Sequence, residues 1–145
     1  MKYREERRDL FSVDSEYHLA HCISADFAMG KGIAVEFDKK FNLKSKLKKS
    51  HPNYLIIWTQ IGGDCIKEDK VFNLITKGRF YEKPTLNNLK NSLKKMKSIC
   101  LEENILKVAM PKIGCGLDRL NWKDVKQLLF ETFQDTDIEI FVCYM

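Results

Sequence analysis

The chain has 145 residues, of which 44% are hydrophobic, enough for one domain with a core of ordinary size. A formal net charge of +5 favours an anionic partner without selecting one. No run reaches the roughly 18 apolar residues of a membrane helix, and the opening MKYREERRDLF lacks a secretory apolar run, so a soluble, cytoplasmic protein away from the membrane is expected, with the nucleus also open in a eukaryote.

In chain order, Tyr17 to Ser24 carries Leu19, Cys22 and Ile23, a short apolar run that predicts a buried strand. Polar and glycine-containing sequence follows from Ser24 to Gly32, and a helical pattern begins near Ile33. Tyr54 to Ile61 and Val71 to Thr76 are β-branched or aromatic runs separated by Gly62, Gly63 and Asp64, which predicts two strands joined by a turn region. Leu86, Leu89, Leu93, Met96 and Cys100 recur every three or four residues after Pro84 and Thr85, the clearest helix of the chain. Lys107 to Met110 predicts a short buried strand, and Pro111 to Leu120 a glycine-containing loop. A helix capped by Asn121 follows, with Trp122, Val125, Leu129 and Phe133 inward and Asp124 at its positive end; Ile138 to Tyr144 is the last strand.

Strands alternating with helices predict an α/β fold, a mixed or mostly parallel sheet covered by helices on both faces. No repeat or Pro/Gly/Ser linker divides residues 1–145, so a single domain is expected. Lysines from Lys39 to Lys49 and from Lys90 to Lys97 interleave with apolar residues, as solvated helix faces do; a nucleic-acid surface is the alternative.

The five cysteines, Cys22, Cys65, Cys100, Cys115 and Cys143, are scattered and never paired as C-x-x-C, which points to neither a disulfide framework nor a zinc site. No metal and no cofactor is expected. G-K-G at Gly30 to Gly32 and G-C-G at Gly114 to Gly116 read as tight turns or, because each loop joins a strand to a helix, as a two-part cradle for a diphosphate. Neither fits G-x-x-x-x-G-K-[ST] or G-x-G-x-x-G.

The strings DLF at Asp9 to Phe11, AHCIS at Ala20 to Ser24, MGKGIAVEF at Met29 to Phe37, LITK at Leu74 to Lys77, KPT at Lys83 to Thr85 and MPKIGCGLDRL at Met110 to Leu120 resemble macrodomains. Within that superfamily the chain is similar to the group of terminal ADP-ribose protein glycohydrolases and O-acyl-ADP-ribose deacylases. The resemblance implies a three-layer α/β/α fold with a mixed central sheet and a cleft for ADP-ribose. It implies Asp9 at the adenine amino group, Leu10 and Met145 beside the adenine, and Ser24 as a polar contact of the first loop. Lys112, Ile113, Gly114, Cys115, Gly116 and Leu117 match the loop around the diphosphate and distal ribose.

Lys77 and Asp118 match the group's catalytic pair. Without the resemblance, Lys77 reads as a solvated strand-end lysine and Asp118 as a charge before the following helix. With it, the lysine amine attacks C1″ of the distal ribose and the aspartate moves protons. Cys115 reads as a packing residue before it reads as a nucleophile. Two positions depart from the wider superfamily: His21, Cys22, Ile23 and Ser24 stand where many members have an Asn-rich strand end, and Arg8 replaces a glycine before DLF.

The expected activity is hydrolysis of ADP-ribose from glutamate and aspartate esters of proteins, and deacylation of O-acyl-ADP-ribose. The partners are ADP-ribose and ADP-ribosylated protein, and the protein is expected to be monomeric. Hydrolysis of ADP-ribose from DNA guanine is the alternative enzyme, although its usual toxin-binding extra domain finds no room in this length. A non-catalytic ADP-ribose reader is the alternative from another class; the presence of both Lys77 and Asp118 weighs against it.

Overall fold

The computed structural model describes residues 1–116 and 119–145. In chain order the elements are β1 (Lys2–Arg7), β2 (His18–Ser24), α1 (Ile33–Phe41), α2 (Leu43–Ser50), α3 (Tyr54–Ile61), β3 (Asp64–Glu68), β4 (Val71–Lys77), α4 (Leu86–Glu103), β5 (Lys107–Met110), α5 (Trp122–Phe133) and β6 (Glu139–Tyr144). The strands form one sheet in the order β1-β6-β5-β2-β4-β3. Its first five members run parallel, and β3 joins β4 antiparallel with Cys65 opposite Leu74.

Side chains alternate across a strand, so each central strand feeds two cores. From β6, Ile140 and Val142 pack with Leu89, Leu93 and Met96 of α4 and Val125, Leu129 and Phe133 of α5. On the opposite face Phe141 joins Leu19, Ile23, Val71 and Ile75 beneath Phe37 of α1, Leu43 and Leu47 of α2, and Tyr54 and Trp58 of α3. The three-layer α/β/α arrangement with a mixed sheet follows. No helix among the described residues is long and apolar enough to cross a membrane.

Local signals end the helices where the sequence places them. The Thr85 hydroxyl accepts from the Asn88 N–H at 3.0 Å, and the Asn121 side chain accepts from the Lys123 N–H at 2.9 Å, capping α4 and α5. The lysine-rich stretch after Ile33 is two helices, broken at Asn42, whose left-handed backbone (φ 53°) turns the chain.

The strand expected over Tyr54 to Ile61 is helix α3. Tyr54 and Trp58, four apart, are its buried residues, while Ile56 and Ile57 are exposed on the outer side. The apolar outward residues hide the helical period, and the burial of Tyr54 and Trp58 overrides the β-branched preference. Trp58 Nε1 also donates to the Ile75 carbonyl at 3.0 Å, tying the helix to β4. The strand that does pair with β4 starts at Asp64, so the hairpin turns at Asp69 rather than at Gly62 and Gly63. Strand β1 is a further element that hydrophobic patterning does not reveal: KYREER is a charged edge strand, largely exposed, whose charges discourage pairing with another chain.

Candidate active site

Because β1, β6, β5, β2 and β4 are parallel neighbours, their carboxyl ends line one edge of the sheet, where ligands of such folds collect. Four interstrand spacings separate the first from the last, about 19 Å. Asp9 follows β1 at one end of this row, and Lys77 closes β4 at the other. Between them the loops after β2 and β5 emerge.

A cleft of about 410 Å³ opens at the β1–β6–β5 end, lined among others by Asp9, Leu10, Ile33, Glu36, Lys112, Tyr144 and Met145. It brings together four expected site residues: Asp9, Leu10, Lys112 and Met145. The Asp9 carboxylate is held at the rim by accepting from the Phe11 N–H at 3.0 Å, which starts the 3-10 turn Leu10–Ser12 and sends Leu10 inward to 3% exposure. Arg8 also lines this cleft, with its guanidinium tethered: it donates to Ser12 Oγ at 3.0 Å and pairs with Glu6 at 3.1 Å. The Lys112 ammonium lies 4.3 Å from the Tyr144 ring centroid and 5.8 Å from that of Trp122, a cation–π contact that places positive charge on the cleft wall.

The first glycine loop is built around Asp26. One carboxylate oxygen accepts from Ser24 Oγ at 2.5 Å and from the Ala28 N–H at 3.1 Å; the other accepts from the Phe80 N–H at 3.0 Å. Phe27 and Met29 are anchored by burial in left-handed backbone (φ 54° and 46°), and the loop ends at Gly32 with φ 63° and ψ −151°, a region that only glycine occupies freely. The N-cap of α1 is Gly32, which has no side chain to bond the first backbone N–H groups of the helix, an arrangement suited to phosphate oxygens. Ser24 itself is buried, its hydroxyl engaged by Asp26.

The second loop carries Ile113, Gly114, Cys115 and Gly116. Ile113 points into the α4–α5 core, which leaves its backbone for a ligand. Gly114 (φ 73°) accepts at its carbonyl from the Leu120 N–H at 2.7 Å and closes the turn. The Cys115 thiol is half-buried and donates to the Ile113 carbonyl at 3.4 Å, and burial raises its pKa, the state of a packing residue rather than of a nucleophile. Leu117 and Asp118, expected in diphosphate binding and catalysis, lie outside the described residues.

Lys77 is half-buried beside the first loop: it pairs in register with Ser24 across an irregularity in β2, and its carbonyl accepts from the Ala25 N–H at 2.9 Å. Behind it, in place of an Asn-rich strand end, His21 is fully buried. Its Nε2 contacts Asn73 Oδ1 at 2.7 Å and its ring stacks on Phe37 at 3.9 Å. Burial pushes the imidazole down to about 4, so it is neutral at neutral pH and braces α1 instead of moving protons in the cleft. Among the described residues no group of His, Cys, Asp and Glu is arranged to hold a metal ion.

Three further residues escape sequence reasoning. Asp26 in SADF is a candidate turn residue by type, a signal for a loop cap but not for its three partners. Tyr144 and Glu36 read as strand and helix residues, and only strand order brings them to the same cleft.

A mixed sheet with five parallel strands, two glycine loops at their carboxyl edge and a cleft at the β1–β6–β5 end is the architecture of a nucleotide-binding α/β protein. Residues 20–129 match the Macro domain family, and the chain belongs to it. It is 44% identical over 140 residues to the human ADP-ribose glycohydrolase OARD1, covering 92% of this chain and 86% of that protein. It is 27% identical over 141 residues to the DNA ADP-ribosyl glycohydrolase of Mycobacterium tuberculosis, covering 92% of this chain but 40% of that protein. The solved macrodomain of Thermus aquaticus DarG superposes with a TM-score of 0.81 at 24% identity, covering 99% of this chain and 97% of that one, a likeness of fold.

Proposed function

We propose that this protein is an ADP-ribose glycohydrolase whose finer task is to release ADP-ribose from glutamate and aspartate esters and to deacylate O-acyl-ADP-ribose. The observation that carries the reading is the row of strand ends: an acid at a cleft on one end, a lysine on the other, and two glycine loops between. Adenine lies beside Asp9, Leu10 and Met145. The diphosphate crosses the N-terminus of α1 and the backbone of Lys112 to Gly116, with Lys112 supplying positive charge, and the distal ribose reaches Lys77.

Chemistry then needs a nucleophile and a proton carrier. The Lys77 amine forms a bond to C1″ as the C1″–O ester bond breaks, and the carboxylate leaves with the electron pair. Asp118 takes the amine proton and passes it to O4″ as the C1″–O4″ bond breaks and a Schiff base forms. Water adds at C1″ and gives a proton to Asp118, which hands it to the nitrogen as the C1″–N bond breaks, and the O4″ hydroxyl closes back on the C1″ aldehyde with the remaining proton lost to solvent. A carboxylate leaves readily, so this machinery suffices for an acyl linkage and not for a serine ether, whose alkoxide needs stronger protonation.

The test is a product assay on glutamate-linked, serine-linked and guanine-linked ADP-ribose in parallel. Release from the glutamate ester with the serine linkage untouched is expected, and borohydride added during turnover should leave ADP-ribose mass on the peptide containing Lys77. Rapid release from serine alone would sink the mechanism. The likeness to a DNA ADP-ribosyl glycohydrolase favours guanine as the second acceptor, since the ring delocalises the departing charge.

A further inference from the structure

Beyond Lys77 the chain makes a loop that lies outside the cleft at Asp9 and outside the ADP-ribose path proposed above. Its backbone is fixed: the Asp26 N–H donates to the Gly78 carbonyl at 3.2 Å, the Phe80 N–H to Asp26 Oδ2 at 3.0 Å, and the Glu82 N–H to the Arg79 carbonyl at 3.0 Å. Glu82 folds back, one carboxylate oxygen accepting from the Arg79 N–H at 2.5 Å. On this rigid turn the Phe80 and Tyr81 rings stand edge to face, centroids 5.4 Å apart, yet they are 56% and 69% exposed. Two large rings held in water by an ordered loop mark a contact surface rather than a frayed segment. The exposed Arg79 and Lys83 flank them, and neither makes an ion pair among the described residues.

Position says which part of a substrate arrives here. Phe80 is one hydrogen bond from Asp26, Asp26 one from Ser24, and Ser24 pairs with Lys77. The loop therefore borders the lysine end of the row, away from Asp9, where the group attached to C1″ leaves. We propose that Phe80 and Tyr81, with Arg79 and Lys83, form a docking surface for the acidic peptide segment that bears the modified carboxylate. The proposal rests on the hydrolase reading above and adds the residues that select its acceptor. Charge complementarity sets the occupant: Arg79 and Lys83, which outnumber the Glu82 carboxylate between them, attract the carboxylates that neighbour a modified glutamate, and the rings cover the peptide's apolar atoms.

Two substrates separate this surface from the chemistry: O-acetyl-ADP-ribose, which has no peptide, and an acidic peptide ADP-ribosylated on glutamate. In Phe80→Ala/Tyr81→Ala the peptide KM should rise about tenfold, as truncating exposed anchor residues does, while O-acetyl-ADP-ribose kinetics stay within about twofold of wild type. Arg79→Gln/Lys83→Gln should raise the peptide KM and flatten its salt dependence. Equal losses on both substrates, or an unchanged peptide KM, would overturn the proposal. So would tighter wild-type binding of a single-stranded oligonucleotide than of the peptide if the ring variant abolishes it, because that assigns the surface to nucleic acid. If the wild type cleaves neither substrate, the hydrolase reading fails by itself; fluorescence anisotropy of the same modified peptide then decides, with weaker binding by the ring variant supporting the surface and equal binding refuting it.

Discussion

The two glycine loops reach one edge of the sheet by different means. In Ser24 to Gly32 the side-chain hydrogen bonds converge on one residue, since Asp26 gathers Ser24, Ala28 and Phe80 at 2.5–3.1 Å, beside backbone bonds from Ala25 and Asp26 and the buried Phe27 and Met29. The loop after β5 is instead fastened by its own backbone, Leu120 N–H to Gly114 carbonyl at 2.7 Å and Cys115 N–H to Lys112 carbonyl at 3.2 Å, over a buried Ile113. The first loop stands beside Lys77 and joins it to the next turn; among the described residues the second is fastened chiefly by its own backbone bonds. Loops of similar composition thus differ in how one substitution can disable them.

The largest effect should come from the lysine that borders the first loop. Lys77→Ala keeps the backbone bond to Ala25 N–H, so the loop and the cleft at Asp9 should persist. Turnover of the glutamate ester should drop on the order of 10³-fold, within the range for a positioned catalytic side chain, while calorimetry still detects ADP-ribose binding. Near-normal kcat in this variant removes Lys77 from the chemistry.

Next in size is a pH effect beneath the same loop. His21 has its pKa lowered by burial to about 4 in the folded protein, against 6.5 in the unfolded chain. Below pH 6.5 the unfolded state binds a proton that the folded state refuses, so stability falls as pH drops from 6.5 to about 4; above 6.5 the penalty is absent. The full difference is about 3 kcal/mol. Urea midpoints measured across that window should slope more steeply for wild type than for His21→Gln, which does not titrate, and parallel slopes would exclude His21 as the cause.

Third, Asp26→Ala strips acceptors from three donors. It should lower stability by roughly 1.5–3 kcal/mol, the range for hydrogen bonds to a charged group, here part-buried at Ser24 and Ala28 and exposed at Phe80, with Asp26→Asn losing less. The readout specific to this loop is proteolysis: cleavage between residues 24 and 32 should accelerate while the segment after β5 stays protected. Uniform acceleration of both loops would mean that Asp26 supports the fold at large and that the contrast between the loops is false.

How much of this was legible beforehand depended on whether a residue's role is local. The stripe Leu86, Leu89, Leu93, Met96 and Cys100 and the cap Thr85 marked α4 because period and cap lie in one stretch of chain. Tyr54–Ile61 misled because Ile56, Ile57 and Ile61 are apolar yet 67%, 52% and 47% exposed, so composition masked the four-residue spacing of Tyr54 and Trp58. The charged β1 gave no apolar signal, since an edge strand is recognised by its partner β6. At the site, motifs pointed to Asp9, Leu10, Lys112 and Met145, which share the cleft, but not to Tyr144 and Glu36 beside them. Asp26 was silent for the same reason: two of its partners are local, but Phe80 is 54 residues away.

The smallest expected effect tests the second loop. Gly114 has φ 73°, and a Cβ there would come within 2.9 Å of Leu120 Cδ1, the far end of a side chain that can turn away. Gly114→Ala should therefore cost mainly the left-handed backbone penalty, about 1–2 kcal/mol, read as a lower melting temperature and weaker ADP-ribose binding. At Gly116 a Cβ meets nothing within 4 Å among the described residues and φ lies outside the left-handed range, so Gly116→Ala should leave stability unchanged within about 0.5 kcal/mol. Because bonds from Leu120 and Cys115 hold this loop, neither change should alter protease sensitivity between residues 24 and 32. If Gly114→Ala instead exposes the first loop to cleavage, the two loops are one cooperative unit and the independence inferred from their separate fastenings is lost.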